Sequence, residues 1–199
     1  SAIAVPGYEL YGVTLTSAST FEWGVSTAGT QTILKNGTAV YTDATKRIRD
    51  IFFVDTDTTV GYAVGNSGTI LKSTDSGSSW SAQTSGVTAN LNAVYFVSTD
   101  IGWVVGDSGT VLFTSNGGTT WTAYTNSQLD FTKNINDIFI KTTVSGSSLT
   151  AYGFAVGNGG KVYKLTSPDI HSLSPTAKMQ GWIGPGEVPG SGEYSGAPA

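Results

Sequence analysis

Two aspartates stand where residue type and spacing together suggest chemistry. Asp50 and Asp137 are each the third residue of similar stretches, Ile48-Arg-Asp-Ile-Phe-Phe53 and Ile135-Asn-Asp-Ile-Phe-Ile140. Two carboxylates converging on one channel can hold a cation or divide acid and base work between them. The plainer alternative is that each accepts hydrogen bonds from a neighbouring element's backbone. Lys46, Arg47 and Arg49 form a basic cluster, either a binding patch for an acidic partner or a solvated loop. Asp55-Thr-Asp57 lacks the further ligands of a calcium loop. His171 has no Cys or His companion, so no metal site is expected, and no cofactor.

Composition narrows the chemistry further. The 199 residues include no Cys, one His and two Arg, with a formal charge of −4. Cys-based zinc sites and disulfide scaffolds are excluded. A nucleic-acid partner needs a basic footprint that this chain lacks. No apolar run approaches the roughly 18 residues of a membrane span, so membrane insertion is not expected. Thr, Ser and Gly make 78 of the 199 residues, and only 12% are charged. With 22 aromatics and many Val, Ile and Thr, the material favours pleated, half-buried strands. No signal peptide is visible.

The elements that must carry these residues recur about every 41 residues. Four stretches open the repeats: Leu10–Leu15, Ile48–Phe53, Leu91–Phe96 and Ile135–Ile140. A second strand follows each, with Trp23, Tyr62, Trp103 and Phe154 at a repeated core position. A tight turn leads into a third strand. Gly65-Asn-Ser-Gly68, Gly106-Asp-Ser-Gly109 and Gly157-Asn-Gly-Gly160 are hairpin turns, because no helix follows that could bind phosphate. Asn36-Gly37 is another turn signal. The fourth repeat carries about ten extra residues, including Val144–Leu149 in its first loop. Strands in repeated groups of three or four imply one antiparallel sheet per repeat, stacked on its neighbours.

The most specific motif is Ser73-Thr-Asp-Ser-Gly-Ser-Ser-Trp80, echoed by Thr114-Ser-Asn-Gly-Gly-Thr-Thr-Trp121. Asp75 or Asn116 can bind amides within its own turn, Gly77 or Gly118 can take positive φ, and the Trp covers the turn. Here the chain resembles the Asp-box (BNR) repeat family, S/T-x-D/N-x-G-x-x-W. It is most similar to the branch found in photosystem II assembly and stability factors, through Gly102-Trp-Val-Val-Gly-Asp-Ser-Gly-Thr-Val-Leu112. The resemblance covers about residues 9–166 and departs at Lys35–Thr38 and Thr166–Asp169, where boxes should stand. It implies an all-β β-propeller, with box turns on the outer side and Asp50 and Asp137 on strands lining the channel. Four repeats make either a four-bladed ring or an incomplete ring completed by a partner. The organisation expected is an N-terminal arm (1–9) that could close the last blade. Blades follow at 10–47, 48–90, 91–134 and 135–175, then a Gly/Pro-rich tail (176–199).

The same resemblance brings enzymes into view, and the residues remove them. A family sialidase needs three arginines and a Tyr/Glu pair; this chain has two Arg, and Glu only at 9, 22, 187 and 193. The xyloglucan-type glycosidases need two seven-bladed rings. The main expectation is therefore a non-catalytic structural or adhesion module, a virion decoration or tail protein or a secreted surface protein. It would make protein contacts or self-assemble, with Trp182, Ile183 and Tyr194 of the tail as docking residues, on a virion or outside the cell. The first alternative is a protein-binding assembly factor of the photosystem II type, although that type's seven blades and Arg-rich patch are missing. The second is a glycan-binding or glycoside-hydrolase propeller.

Overall fold

The structure is a computed structural model describing residues 10–15, 22–26, 31–36, 38–54, 57–124, 132–145 and 148–167. Residues 1–9, Gly37, and the tail with Trp182, Ile183 and Tyr194 lie outside the described residues.

All regular structure among the described residues is strand and tight turn. Four antiparallel sheets follow one another along the chain, each pairing strands in sequence order. The first holds β1 (Leu10–Leu15), β2 (Glu22–Ser26), β3 (Gln31–Lys35) and β4 (Thr38–Asp43). The second holds β5 (Ile48–Val54), β6 (Asp57–Gly65), β7 (Ile70–Ser73) and β8 (Ser81–Gln83). The third holds β9 (Leu91–Phe96), β10 (Gly102–Gly106), β11 (Val111–Thr114) and β12 (Thr122–Ala123). The fourth has three strands, β13 (Ile135–Ser145), β14 (Ser148–Gly157) and β15 (Lys161–Ser167).

The extra residues of the fourth repeat do not form the expected loop. They lengthen a hairpin, in which Thr142 pairs with Ala151, Thr143 with Thr150 and Val144 with Leu149. β-Branched residues continue the ladder and satisfy backbone groups that a loop would leave to solvent.

The sheets pack face to face through three apolar layers. Ile33 meets Ile51, Phe53, Ala63 and Leu71 between the first and second sheets. Tyr62, Val64 and Ile70 meet Leu91, Val94 and Phe96 between the second and third. Trp103, Val105 and Phe113 meet Ile135, Ile138, Ile140 and Tyr163 between the third and fourth. Tyr62 lies flat on Phe96, with ring centroids 3.7 Å apart and planes 8° apart.

The turns are built as the repeats require. Thr69 N bonds Asn66 O at 3.1 Å and Thr110 N bonds Asp107 O at 3.1 Å. The central residues Ser67–Gly68 and Ser108–Gly109 all have positive φ, the mark of a type I′ hairpin turn. The glycine before each turn serves closeness instead. A Cβ on Gly106, which has extended backbone, would stand 2.2 Å from the Asn90 carbonyl oxygen.

The Asp-boxes close the outer rims of the second and third sheets. Asp75 accepts Ser79 N at 2.9 Å, Ser79 Oγ at 2.6 Å and Ser73 Oγ at 2.8 Å. Ser73 Oγ accepts Gly77 N at 2.7 Å. Asn116 repeats the pattern with Thr120 N at 3.0 Å, and Thr114 Oγ1 accepts Gly118 N at 2.9 Å. Trp80 stands edge-on to Phe53, and Trp121 edge-on to Phe96. Each box is also held by the preceding blade. Lys35 Nζ bonds Ser76 O at 2.7 Å, and Lys72 Nζ bonds Gly117 O at 2.7 Å.

Candidate protein-binding face

The first strand of every sheet is irregular near its start: the register slips between Leu10 and Val13 in the first sheet and past the second residue, Arg49, Asn92 or Asn136, in the other three. A bulge re-aims the extra side chain. In the last three sheets it directs Arg49, Asn92 and Asn136 to one end of the strands, beside the type I′ turns. Arg49 Nε donates to Asn66 Oδ1 and its Nη1 to Asn92 Oδ1, both at 2.8 Å. Asn92 Nδ2 donates to Asp107 Oδ1 at 3.0 Å and to Ile135 O at 2.8 Å. Asn136 Nδ2 donates to Asn158 Oδ1 at 2.8 Å. One polar chain thus runs from the second sheet across the third to the fourth.

Of these residues Arg49, Asn92 and Asn136, with Arg47 and Ile48, line an open cleft of about 320 Å³. The Arg49 guanidinium among the Asn92 and Asn136 amides, with Arg47 alongside, suits carboxylates and the carbonyls of an extended chain. The basic cluster divides here. Arg47 and Arg49 border the cleft, whereas Lys46 lies beside Asp43, whose carboxyl is held low by Thr45's hydrogen bonds, with Lys46 adding a smaller push.

Asp50 lies just below the bulge. Its Oδ1 accepts Ile51 N at 2.8 Å, and its Oδ2 accepts Val94 N of the next sheet at 3.0 Å. Burial pushes its carboxyl up to about 6, and the charge of Asp137 adds to the push against the two backbone hydrogen bonds. Asp137 makes the same local bond, with Ile138 N at 2.8 Å, but is exposed. Both oxygens of Asp50 are committed to structure. Among the described residues no three His, Cys, Asp or Glu side chains gather as a metal site would need. No helix there is long and apolar enough to cross a membrane.

Residues 31–129 match the family model described as photosynthesis system II assembly factor YCF48. The repeats belong to the Asp-box β-propeller family. Among solved structures, this Asp-box chain is similar to YCF48 bound to D1 peptide, with 24% identity and a TM-score of 0.51. That match covers 70% of this chain and 39% of the other. An ancestral GH74 enzyme matches with 18% identity and a TM-score of 0.56, over 81% of this chain and 25% of the other. Both likenesses are of fold. The chain spans about two fifths of the YCF48 structure's length. A search of curated proteins finds no significant match.

Asn66, Asn92, Asp107, Asn136 and Asn158 escaped the sequence reading. For Asn92 and Asn136 the signal was present as a polar residue in the column just before the Asp50 and Asp137 column, whereas Asn66, Asp107 and Asn158 were read only as turn residues. What periodicity could not convey is the bulge that turns this column out of the sheet.

Proposed function

We propose that this chain is a non-catalytic, protein-binding propeller segment of the assembly-factor type. It takes an extended, carboxylate-bearing peptide on the face around Arg47 and Arg49. The observation that carries the reading is the Arg49–Asn92–Asn136 series, aimed by three successive bulges into one cleft. Arg49 is fixed through two of its nitrogens, so its plane is set before a ligand arrives, which lowers the ordering cost of binding. The family match supports this first alternative over the virion or adhesion module, for which the fold and the comparisons add nothing. The GH74 likeness is of fold, and the only described carboxylate shifted upward, Asp50, is tied to two backbone amides.

The test is titration of the chain with a labelled D1 peptide, the ligand present in the YCF48 structure. Saturable binding that weakens at least tenfold in Arg47→Ala/Arg49→Ala supports the site. Binding indifferent to both substitutions moves it elsewhere. A wild-type chain that ignores the peptide removes this partner class.

A further inference from the structure

One face of the fourth sheet is built like a blade interface and has none of the described blades against it. Phe154 occupies the register position of Tyr62 and Trp103, opposite Phe139 as they stand opposite Phe52 and Tyr95. Tyr62 and Trp103 are 0% exposed, whereas Phe154 is 49% and Phe139 58% exposed. Val156 is 42% exposed where Val64 and Val105 are wholly buried. The apolar residues that bury the second sheet on the third, and the third on the fourth, therefore continue onto an open surface.

Asp137 adds a polar feature to the same edge. Asp50 spends one oxygen on its own strand and the other on Val94 N of the next sheet. Asp137 spends Oδ1 on Ile138 N in the same way, and its Oδ2 has no partner among the described residues. The column itself alternates: Gly12, Asp50, Ala93, Asp137. Sheets with an aspartate cap their own following amide, at Ile51 and Ile138. The sheet after Asp50 has Ala93, which cannot cap, and its Val94 amide takes the preceding blade's carboxylate. The sheet that suits Asp137 by the same rule lacks a carboxylate in this column. The first blade, with Gly12 before Val13, is of that kind, and the chain's own four sheets leave the face open.

We propose that the exposed face of the fourth sheet is filled by the first blade of a second copy of this chain, with Asp137 accepting the backbone N–H of Val13. Two copies joined head to tail in this way close one ring, and each copy supplies one half of both new interfaces.

The chain has no cysteine, so a disulfide can report the contact. Under mild oxidation, Val13→Cys/Asp137→Cys yields a reductant-sensitive species of twice the chain mass, and neither single variant does. A disulfide within one chain means that the ring closes on its own first blade. A dimer from Asp137→Cys alone means that two copies meet by the same face. Absence of any disulfide leaves the face to another occupant, such as residues 168–199. Each of these three results overturns the proposal. Light scattering gives the second measurement. Wild type has twice the chain mass and Phe154→Asp one chain mass with an unchanged circular dichroism spectrum; a wild type of one chain mass overturns the proposal.

Discussion

Asp50 on the first strand of one blade accepts the backbone N–H of Val94 on the first strand of the next, at 3.0 Å. The bond ties two sheets at their inner edges, and it confines a carboxylate where water solvates it poorly.

Stability carries the mark of that confinement. Burial raises the Asp50 carboxyl to about 6 in the folded protein, against roughly 3.9 in an unfolded chain. Between these values the folded state holds the extra proton, so Asp50's contribution is complete below pH ~4 and is lost as pH rises through ~6. Chemical denaturation from pH 4 to 7 should show wild type losing about 1–3 kcal/mol relative to Asp50→Asn. A difference between the two proteins that does not change with pH would show that Asp50 ionises normally.

The Asp-box carboxylate behaves in the opposite sense. Hydrogen bonds from Ser79, then Ser73, hold Asp75 down to about 2. Its contribution is present above pH ~4 and fades as pH falls toward 2. Asp75→Ala should lower the melting temperature at pH 7. Asp75→Asn should lower it less, because Asn116 makes the corresponding bonds in the next box. Equal losses in thermal scans would mean that charge, not the acceptor, holds the turn.

Tyr62 and Lys72 share one acceptor. Tyr62 Oη donates to Gly117 O at 3.0 Å and Lys72 Nζ to the same oxygen at 2.7 Å. Burial, with the Asp100 charge, raises the Tyr62 phenol above its usual value and keeps it a donor. Tyr62→Phe and Lys72→Met should each cost about 1 kcal/mol. The double variant should differ from their sum by about 0.5 kcal/mol or more in a double-mutant cycle. Strict additivity would refute the shared site.

Gly106→Ala isolates a steric effect. The backbone there is extended, so alanine meets no conformational barrier, yet its methyl would stand 2.2 Å from the Asn90 oxygen. The blade edge must part to admit it, at about 2–4 kcal/mol in urea unfolding. Ser108→Gly, two residues on, relieves a left-handed backbone at φ 53° and should gain up to about 1 kcal/mol.

The repeat, its strands and its turns were legible because each rests on local chemistry. Asn66-Ser-Gly68 favours a type I′ turn, and Ser73 to Trp80 closes a box within eight residues, whatever lies around them. Arg47 and Arg49 were legible as a basic pair, though not Lys46's separation from them, which depends on where Asp43 falls across the link. Asn92 was not legible, because its role depends on a bulge and on Arg49 arriving from 43 positions away. Phe154 looked like a core residue by repetition. Its exposure is decided by whether a neighbour exists, and no residue type encodes that.

Every sheet pairs its strands in the order in which they leave the ribosome. Most backbone pairing is therefore settled within about forty residues of chain, and loop-closure entropy stays small. That topology favours folding sheet by sheet, with each new hairpin condensing on the apolar layer left by the previous one. Amide exchange should then be slow at Val64 and Val104, which lie within the central layer.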